Sequence, residues 1–287
     1  MRMIIVSGLS GSGKSIALQT LEDIDYYCVD NLPIKLLQTL VEEIQARDNS
    51  RFENTAVSID ARNFQDELER FPGVLSQLRA GGLNVEILFL RASDEILLKR
   101  YSETRRKHPL SLDGVTLLEA IQRERQLLEP IVAHADLIMD TSHTNVHELR
   151  TMVRTRLHDT PQGTLSILFL SFGFKNAIPD DADFVFDVRC LPNPHWEPLL
   201  RPLTGLDDKV IAYLDQQPDV RRMIADLRQF LERWISCFEN GSRSYLTVAI
   251  GCTGGQHRSV YIATDLAQYF SNTRRSVMIR HRELKCP

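Results

Sequence analysis

The sequence has no apolar run approaching the roughly 20 residues that a membrane-spanning helix needs. Its start passes straight into a short apolar segment. The long apolar middle and cleavage site of a secretory leader are missing, so none is expected. Cysteine is scarce and scattered. The five residues, Cys28, Cys190, Cys237, Cys252 and Cys286, are odd in number and form no C-x-x-C pair. That spacing argues against a zinc site, a disulfide framework or a dithiol redox centre, and for a reduced, cytoplasmic protein with free thiols. A large excess of either charge is lacking too, since 34 Lys+Arg against 38 Asp+Glu leave a net −4. A chain that binds nucleic acid over its whole surface is thereby excluded. The acidic excess falls before Pro161 and the second half is near balance, so any nucleic-acid surface has to be a local patch in that half. No RNA-recognition aromatic motif or zinc knuckle is visible.

What is present begins at Gly8-Leu9-Ser10-Gly11-Ser12-Gly13-Lys14-Ser15, which fits the phosphate-binding pattern G-x-x-x-x-G-K-[ST]. Residues 3–6 read as a buried strand before it and residues 15–22 as a helix after it. A glycine turn between strand and helix aims backbone N–H groups and the positive helix end at one point. Lys14 can then reach the terminal phosphates of a nucleoside triphosphate, ATP or GTP, and the Ser15 hydroxyl can hold Mg²⁺. Asp30 ends a second predicted strand, where it is either a contact to Mg²⁺ or a turn aspartate. Asp60-Ala61-Arg62-Asn63 ends a third. An acid, an arginine and an amide could read a nucleotide, but spacing alone favours an Asp–Arg pair closing a loop. The basic run Lys99, Arg100, Arg105, Arg106, Lys107, on a helix predicted over 94–106, stands where small P-loop kinases carry a lid; a solvated helix face is the other reading.

Further helices are predicted over 34–47, 64–80, 116–133 and 144–157, and strands over 84–90 and 136–140. Strands alternating with helices predict an α/β protein. We expect a P-loop NTPase-like parallel sheet with helices on both faces over residues 1–158, a linker over 159–164, and a second, smaller α/β domain over 165–287.

In the second half, strands are predicted over 165–170, 184–188 and 245–250, and helices over 210–214, 220–238 and 260–270. The proline-rich stretch that carries Arg189, Asn193, His195 and Trp196 either lines a pocket or packs as a loop. Gly251-Cys252-Thr253-Gly254-Gly255-Gln256-His257-Arg258-Ser259 is a second strand–glycine turn–helix junction, read as an anion-binding loop with Arg258 as a bidentate phosphate fork. The Cys-x₅-Arg spacing also matches cysteine-dependent phosphatases, although no general acid can be placed from the sequence. The last stretch, with Arg274, Arg275, Arg280, Arg282 and Lys285, is the most basic in the chain. It suits phosphate-backbone contact or is a solvated tail.

Taken in order, the 8–15 loop, Tyr27-Cys-Val-Asp-Asn-Leu-Pro33, Asp60–Asn63, Tyr101-Ser-Glu-Thr-Arg-Arg-Lys-His-Pro-Leu110, Phe172-Gly-Phe-Lys175, Leu191-Pro-Asn-Pro-His-Trp196 and the 251–259 loop resemble the bacterial RapZ (YvcJ) family. Its members are nucleotide-binding RNase adapter proteins, and the resemblance covers nearly the whole chain. It implies an adapter rather than an enzyme, with weak nucleotide hydrolysis at most. Such an adapter binds small regulatory RNA, presents it to the endoribonuclease RNase E and so controls glucosamine-6-phosphate synthesis. The resemblance implies ATP on Gly8 to Ser15 and guanine nucleotide on Asp60 to Asn63. It further implies glucosamine-6-phosphate on Cys252, Thr253, Gly254, Gly255, His257, Arg258 and Ser259 with His195 nearby. RNA would lie on the basic tail together with Lys175 and Arg258, in a homo-oligomer, a tetramer. A small-molecule kinase built on Lys14, and a Cys252 phosphatase, are the alternatives from the residues alone.

Overall fold

The computed structural model describes residues 1–46, 52–63, 65–111, 114–157, 165–240, 243–274 and 276–284. The expected linker, residues 159–164, lies outside them, as do Arg275 and Lys285. The chain divides into two compact units, Met1–Asp159 and Thr160–Pro287.

The first unit holds strands β1 (Arg2–Gly8), β2 (Tyr27–Val29), β3 (Asn54–Ser58), β4 (Asn84–Arg91) and β5 (Leu137–Asp140). They form one sheet in the order β2-β3-β1-β4-β5, every pair parallel. All seven residues of β1 are buried, as a central parallel strand covered on both faces requires. Its odd and even residues feed the two faces. Met3 and Ile5, with Val57, Ile59, Val85 and Ile87, pack against α2 (Leu37–Gln45), α3 (Gln65–Ala80), α5 (Leu117–Leu127) and α6 (Glu129–Val132). On the other side α1 (Lys14–Glu22) packs with α7 (Val146–Leu157), burying Leu18, Leu21, Leu149 and Val153. The helix expected over 116–133 is broken after Leu127. Pro130 sits in the first turn of α6, where its missing N–H costs nothing, and it cannot continue the preceding ladder. The helix expected over 94–106, α4 (Asp94–Thr104), stops early because Arg105 takes a left-handed conformation, φ 50°.

The second unit holds β6 (Ser166–Gly173), β7 (Phe184–Asp187), β8 (Tyr245–Cys252) and β9 (Val277–His281), with α8 (Asp208–Asp215), α9 (Pro218–Asn240) and α10 (Arg258–Ser271). The sheet is again parallel, in the order β7-β8-β6-β9, which repeats the order of the first four strands of the first unit. Ile167, Phe169, Val248 and Ile250 meet Leu214, Leu231, Ile235 and Leu266 from α8, α9 and α10. Strand β9 corrects the reading of the last stretch as a free basic tail. Val277 to His281 pairs in register with Ile167 to Ser171. The flanking arginines hide a short apolar run, Val277-Met-Ile279, that completes the sheet edge.

Candidate functional sites

The first cradle is built where β1 runs into α1. Gly8 has φ 144°, and a Cβ there would lie 2.1 Å from the Leu90 carbonyl oxygen, so only glycine lets the loop leave the sheet. Around the loop, carbonyls are taken by side chains. Arg100 donates to the Gly11 oxygen at 2.9 Å and to that of Thr141 at 2.6 Å. The Thr141 hydroxyl donates to the Ser12 oxygen at 2.9 Å, and Lys14 Nζ to the Gly8 oxygen at 2.6 Å. The first N–H groups of α1 have no intrahelical acceptor and are left for an anion. Ser15 is exposed in the first turn. Burial lowers the Lys14 pKa, and Glu124, Asp60 and Asp30 pull it back up. Lys14 therefore sits among carboxylates that it can leave for a phosphate.

Glu124 is a functional residue that sequence reasoning passes over. It and His108 are both 0% exposed, 3.1 Å apart. The carboxylate accepts from the Ser10 N–H at 2.8 Å and from its hydroxyl at 2.6 Å, fixing the loop from below. Burial opposes its ionisation, yet His108, Lys14 and Ser10 hold its pKa below the usual glutamate range. One signal exists in the sequence: Glu124 stands on the apolar stripe of α5 with Ala120 and Ile121, where a lone carboxylate needs a reason.

Asp60 and Arg62 form the pair expected from spacing, with Arg62 Nη2 2.6 Å from Asp60 Oδ2. Burial opposes ionisation of Asp60, and Arg62 outweighs it. Asn63 uses one bond at each end, accepting from the Ile34 N–H at 2.9 Å and donating to the Asp60 backbone carbonyl at 3.2 Å. Ala61 is buried. The half-exposed Arg62 guanidinium is what this stretch offers a ligand most openly; reading guanine with the Asp60 carboxylate would compete with Arg62 for its oxygens. Of the basic run, Arg100 is a brace of the loop, while Lys99, Arg105, Arg106 and Lys107 stand exposed.

The second cradle lies where β8 runs into α10. Cys252 Sγ accepts from the Gly255 N–H at 3.2 Å and lies 3.1 Å from the Ser259 hydroxyl. Burial would raise this thiol, but Ser259 and the backbone N–H groups of the turn outweigh it and hold its pKa below the ordinary value. Cys28 shows the contrast, pushed up to about 12 by burial. Thr253 and Gln256 are exposed, so the turn opens to the surface. The His195 and His257 rings lie 6.4 Å apart, with His257 buried and its pKa lowered mainly for that reason. Lys175 is exposed and its N–H bonds the Thr253 oxygen at 3.3 Å, which puts it beside the turn.

Arg258 is 3% exposed. Its Nη1 donates to the carbonyls of Arg189 at 2.8 Å and Leu191 at 2.9 Å, bracing the proline-rich loop, while its Nη2 reaches the Thr253 hydroxyl of the turn at 3.4 Å and its buried Nε has no hydrogen-bond partner among the described residues. The Nε–Nη2 edge thus stays available as the expected phosphate fork. A second Asp-x-Arg clamp appears here. Arg189 pairs with Asp187 at 2.7 Å and stacks its guanidinium 3.9 Å over the Phe174 ring, half-exposed. The basic stretch is also partly consumed. Arg274 pairs with Glu239, and Arg282 donates to the carbonyls of Gly173, Asn176 and Ala177 and to Glu283. Arg282 is therefore a structural anchor rather than an RNA contact, while Arg280 lies on β9, partly exposed.

No cluster of metal-ligating side chains, and no helix long and apolar enough to cross a membrane, occurs among the described residues.

The family model described as the RapZ-like N-terminal domain matches residues 1–160, and that of the RapZ C-terminal domain matches residues 165–285. A nucleotide-binding protein of Thioalkalivibrio sulfidiphilus is 55% identical over 285 residues, covering 99% of this chain and 100% of its own. Another from Nitrosococcus oceani is 56% identical over 284 residues, with 99% and 100% covered. Among solved structures, shikimate kinase from Bacteroides thetaiotaomicron is 18% identical, with a TM-score of 0.34, over 53% of this chain and 94% of its own.

Proposed function

The chain belongs to the RapZ family, and from that membership we propose that it is a cytoplasmic nucleotide-binding adapter that holds small regulatory RNA and presents it to RNase E. Glucosamine-6-phosphate is the metabolite it senses, and its assembly is a homo-oligomer, a tetramer. Positioning, not bond-making, is its work, with at most weak nucleotide hydrolysis. The observation that carries the nucleotide half is the loop at residues 8–15, whose carbonyls are held by the side chains of Arg100, Thr141 and its own Lys14 and whose helix start is left for phosphate. ATP or GTP fits there. Mg²⁺ bound with it would be held by the Ser15 hydroxyl, with the Asp30 carboxylate as a further oxygen donor that suits a hard cation. Replacing Lys14 with alanine should weaken ATP binding by about 10- to 100-fold, the worth of one or two charge-assisted bonds. Unchanged affinity in a calorimetric titration overturns this assignment.

For RNA, the supports are the family and the cations Lys175 and Arg280, with Arg274 joining them where a phosphate displaces Glu239. Binding of structured small RNA should fall steeply with salt. A Lys175→Ala, Arg274→Ala, Arg280→Ala variant should flatten that dependence, the slope changing by about one for each phosphate no longer neutralised. Retention that ignores both salt and the three substitutions refutes the RNA reading. Saturating glucosamine-6-phosphate should lower RNA affinity, because Lys175 adjoins the turn that would hold the sugar phosphate.

A further inference from the structure

A carboxylate stands at the second cradle that the RNA reading does not use. Glu283, two residues beyond β9, has a side chain only 8% exposed. Its Oε1 accepts from Arg282 Nε at 2.9 Å and from Asn176 Nδ2 at 3.3 Å. Its Oε2 is buried and has no hydrogen-bond partner among the described residues. The carboxylate rests on the glycine turn: a Cβ on Gly255 would lie 2.5 Å from Oε2 and 2.8 Å from Cδ. Gly255 is the residue whose N–H serves Cys252 Sγ.

A buried acceptor with no donor costs stability, and native proteins keep few of them without a use. This one is also held in place. Arg282 is itself anchored on three carbonyls of residues 173–177, and for the carboxylate to swing away to water it would have to give up the bonds that Oε1 accepts from Arg282 and Asn176. Its charge sits beside a turn and helix start that favour an anion. A bare phosphate, or a phosphate ester with only hydroxyl groups, brings a second negative charge against Oε2 and is disfavoured. A ligand with a phosphate and an ammonium a few bonds apart satisfies both, the phosphate on the start of α10 and the ammonium on Oε2. A repulsive element of this kind is how a site rejects near relatives of its ligand.

We propose that Glu283 is a specificity-determining residue of the second cradle, which selects phosphate esters carrying a protonated amine over those without one. The proposal rests on the reading of residues 252–259 as a phosphosugar site, and names what that site discriminates.

The test titrates the full-length protein with glucosamine-6-phosphate, N-acetylglucosamine-6-phosphate, glucose-6-phosphate and inorganic phosphate in a calorimeter. The wild-type chain should bind the first at least about tenfold more tightly than the other three. Glu283→Gln keeps an oxygen for Arg282 and Asn176 but removes the charge. It should weaken glucosamine-6-phosphate, tighten glucose-6-phosphate, and bring the two within about twofold. Equal binding of the amino and neutral sugars by the wild type overturns the proposal without using any variant, as does a preference that survives in Glu283→Gln. If none of the four binds, the phosphosugar reading itself is wrong and the proposal falls with it; binding without discrimination removes the role of Glu283 alone.

Discussion

Replacing Glu124 with alanine should destabilise the first unit by about 3–5 kcal/mol and abolish high-affinity nucleotide binding. The size follows from what is left behind. One fully buried carboxylate accepts from the Ser10 N–H, from its hydroxyl and from His108. Removing one partner of a buried pair strands the others in a medium that cannot solvate them, which typically costs that much. A cavity adds to it. For a unit of this size the change corresponds to a fall in Tm of roughly 10 °C. Binding fails for a separate reason: without its anchor at Ser10 the loop no longer presents its N–H groups as one concave surface. Glu124→Gln should be milder, keeping the volume and one acceptor while turning an amide donor toward donors. The pH dependence has a definite sign. Because the folded pKa lies below the ordinary glutamate value, the stability from Glu124 is complete above that value and is lost as pH falls through the folded one. Thermal unfolding followed against pH, with an ATP titration of each variant, checks all three points. A destabilisation below about 1 kcal/mol would show that the network does not hold the loop.

The second large effect is expected at Gly255. Its φ is +70°, and an added Cβ would lie 2.6 Å from the Gly173 nitrogen as well as 2.5 Å from the Glu283 oxygen. The left-handed conformation alone costs a side chain roughly 1–2 kcal/mol. The backbone contact is worse, because Gly173 ends β6 and pairs with Cys252 of β8, so neither segment yields without opening the sheet end. Gly255→Ala should therefore cost the second unit about 3 kcal/mol and weaken sugar-phosphate binding, since the turn must shift and carry with it the N–H that the Cys252 thiol accepts from. Gly254 is the matched control. A Cβ there meets nothing within 4 Å, and its φ is ordinary. Gly254→Ala should melt within about 1 °C of the wild type. Equal behaviour of the two variants would mean that the turn is looser than its packing indicates.

The P-loop and the Asp60–Arg62 pair illustrate what spacing can reveal. Each depends on residues a few positions apart, whose geometry the local chain dictates. Arg258 shows the reverse. Its spacing from Cys252 is visible in the sequence, but its direction is set by carbonyls 67 and 69 residues away. Strand β9 escapes a reading of the sequence because five residues flanked by arginines carry too little pattern to outweigh their charge. The open edge of β6 supplies the partner that makes them a strand.

Two α/β units, each with a glycine turn between a strand and a helix, follow from the order of residues alone, because periodicity and turn chemistry are properties of near neighbours. Which cations face a ligand and which are spent as braces follows from the packed chain and from nothing shorter. The same holds for Glu124, which underpins one turn from 114 positions away, and for Glu283, which borders the other. Those choices rest on single long-range contacts that repeat nowhere in the chain. Only folding brings their partners together.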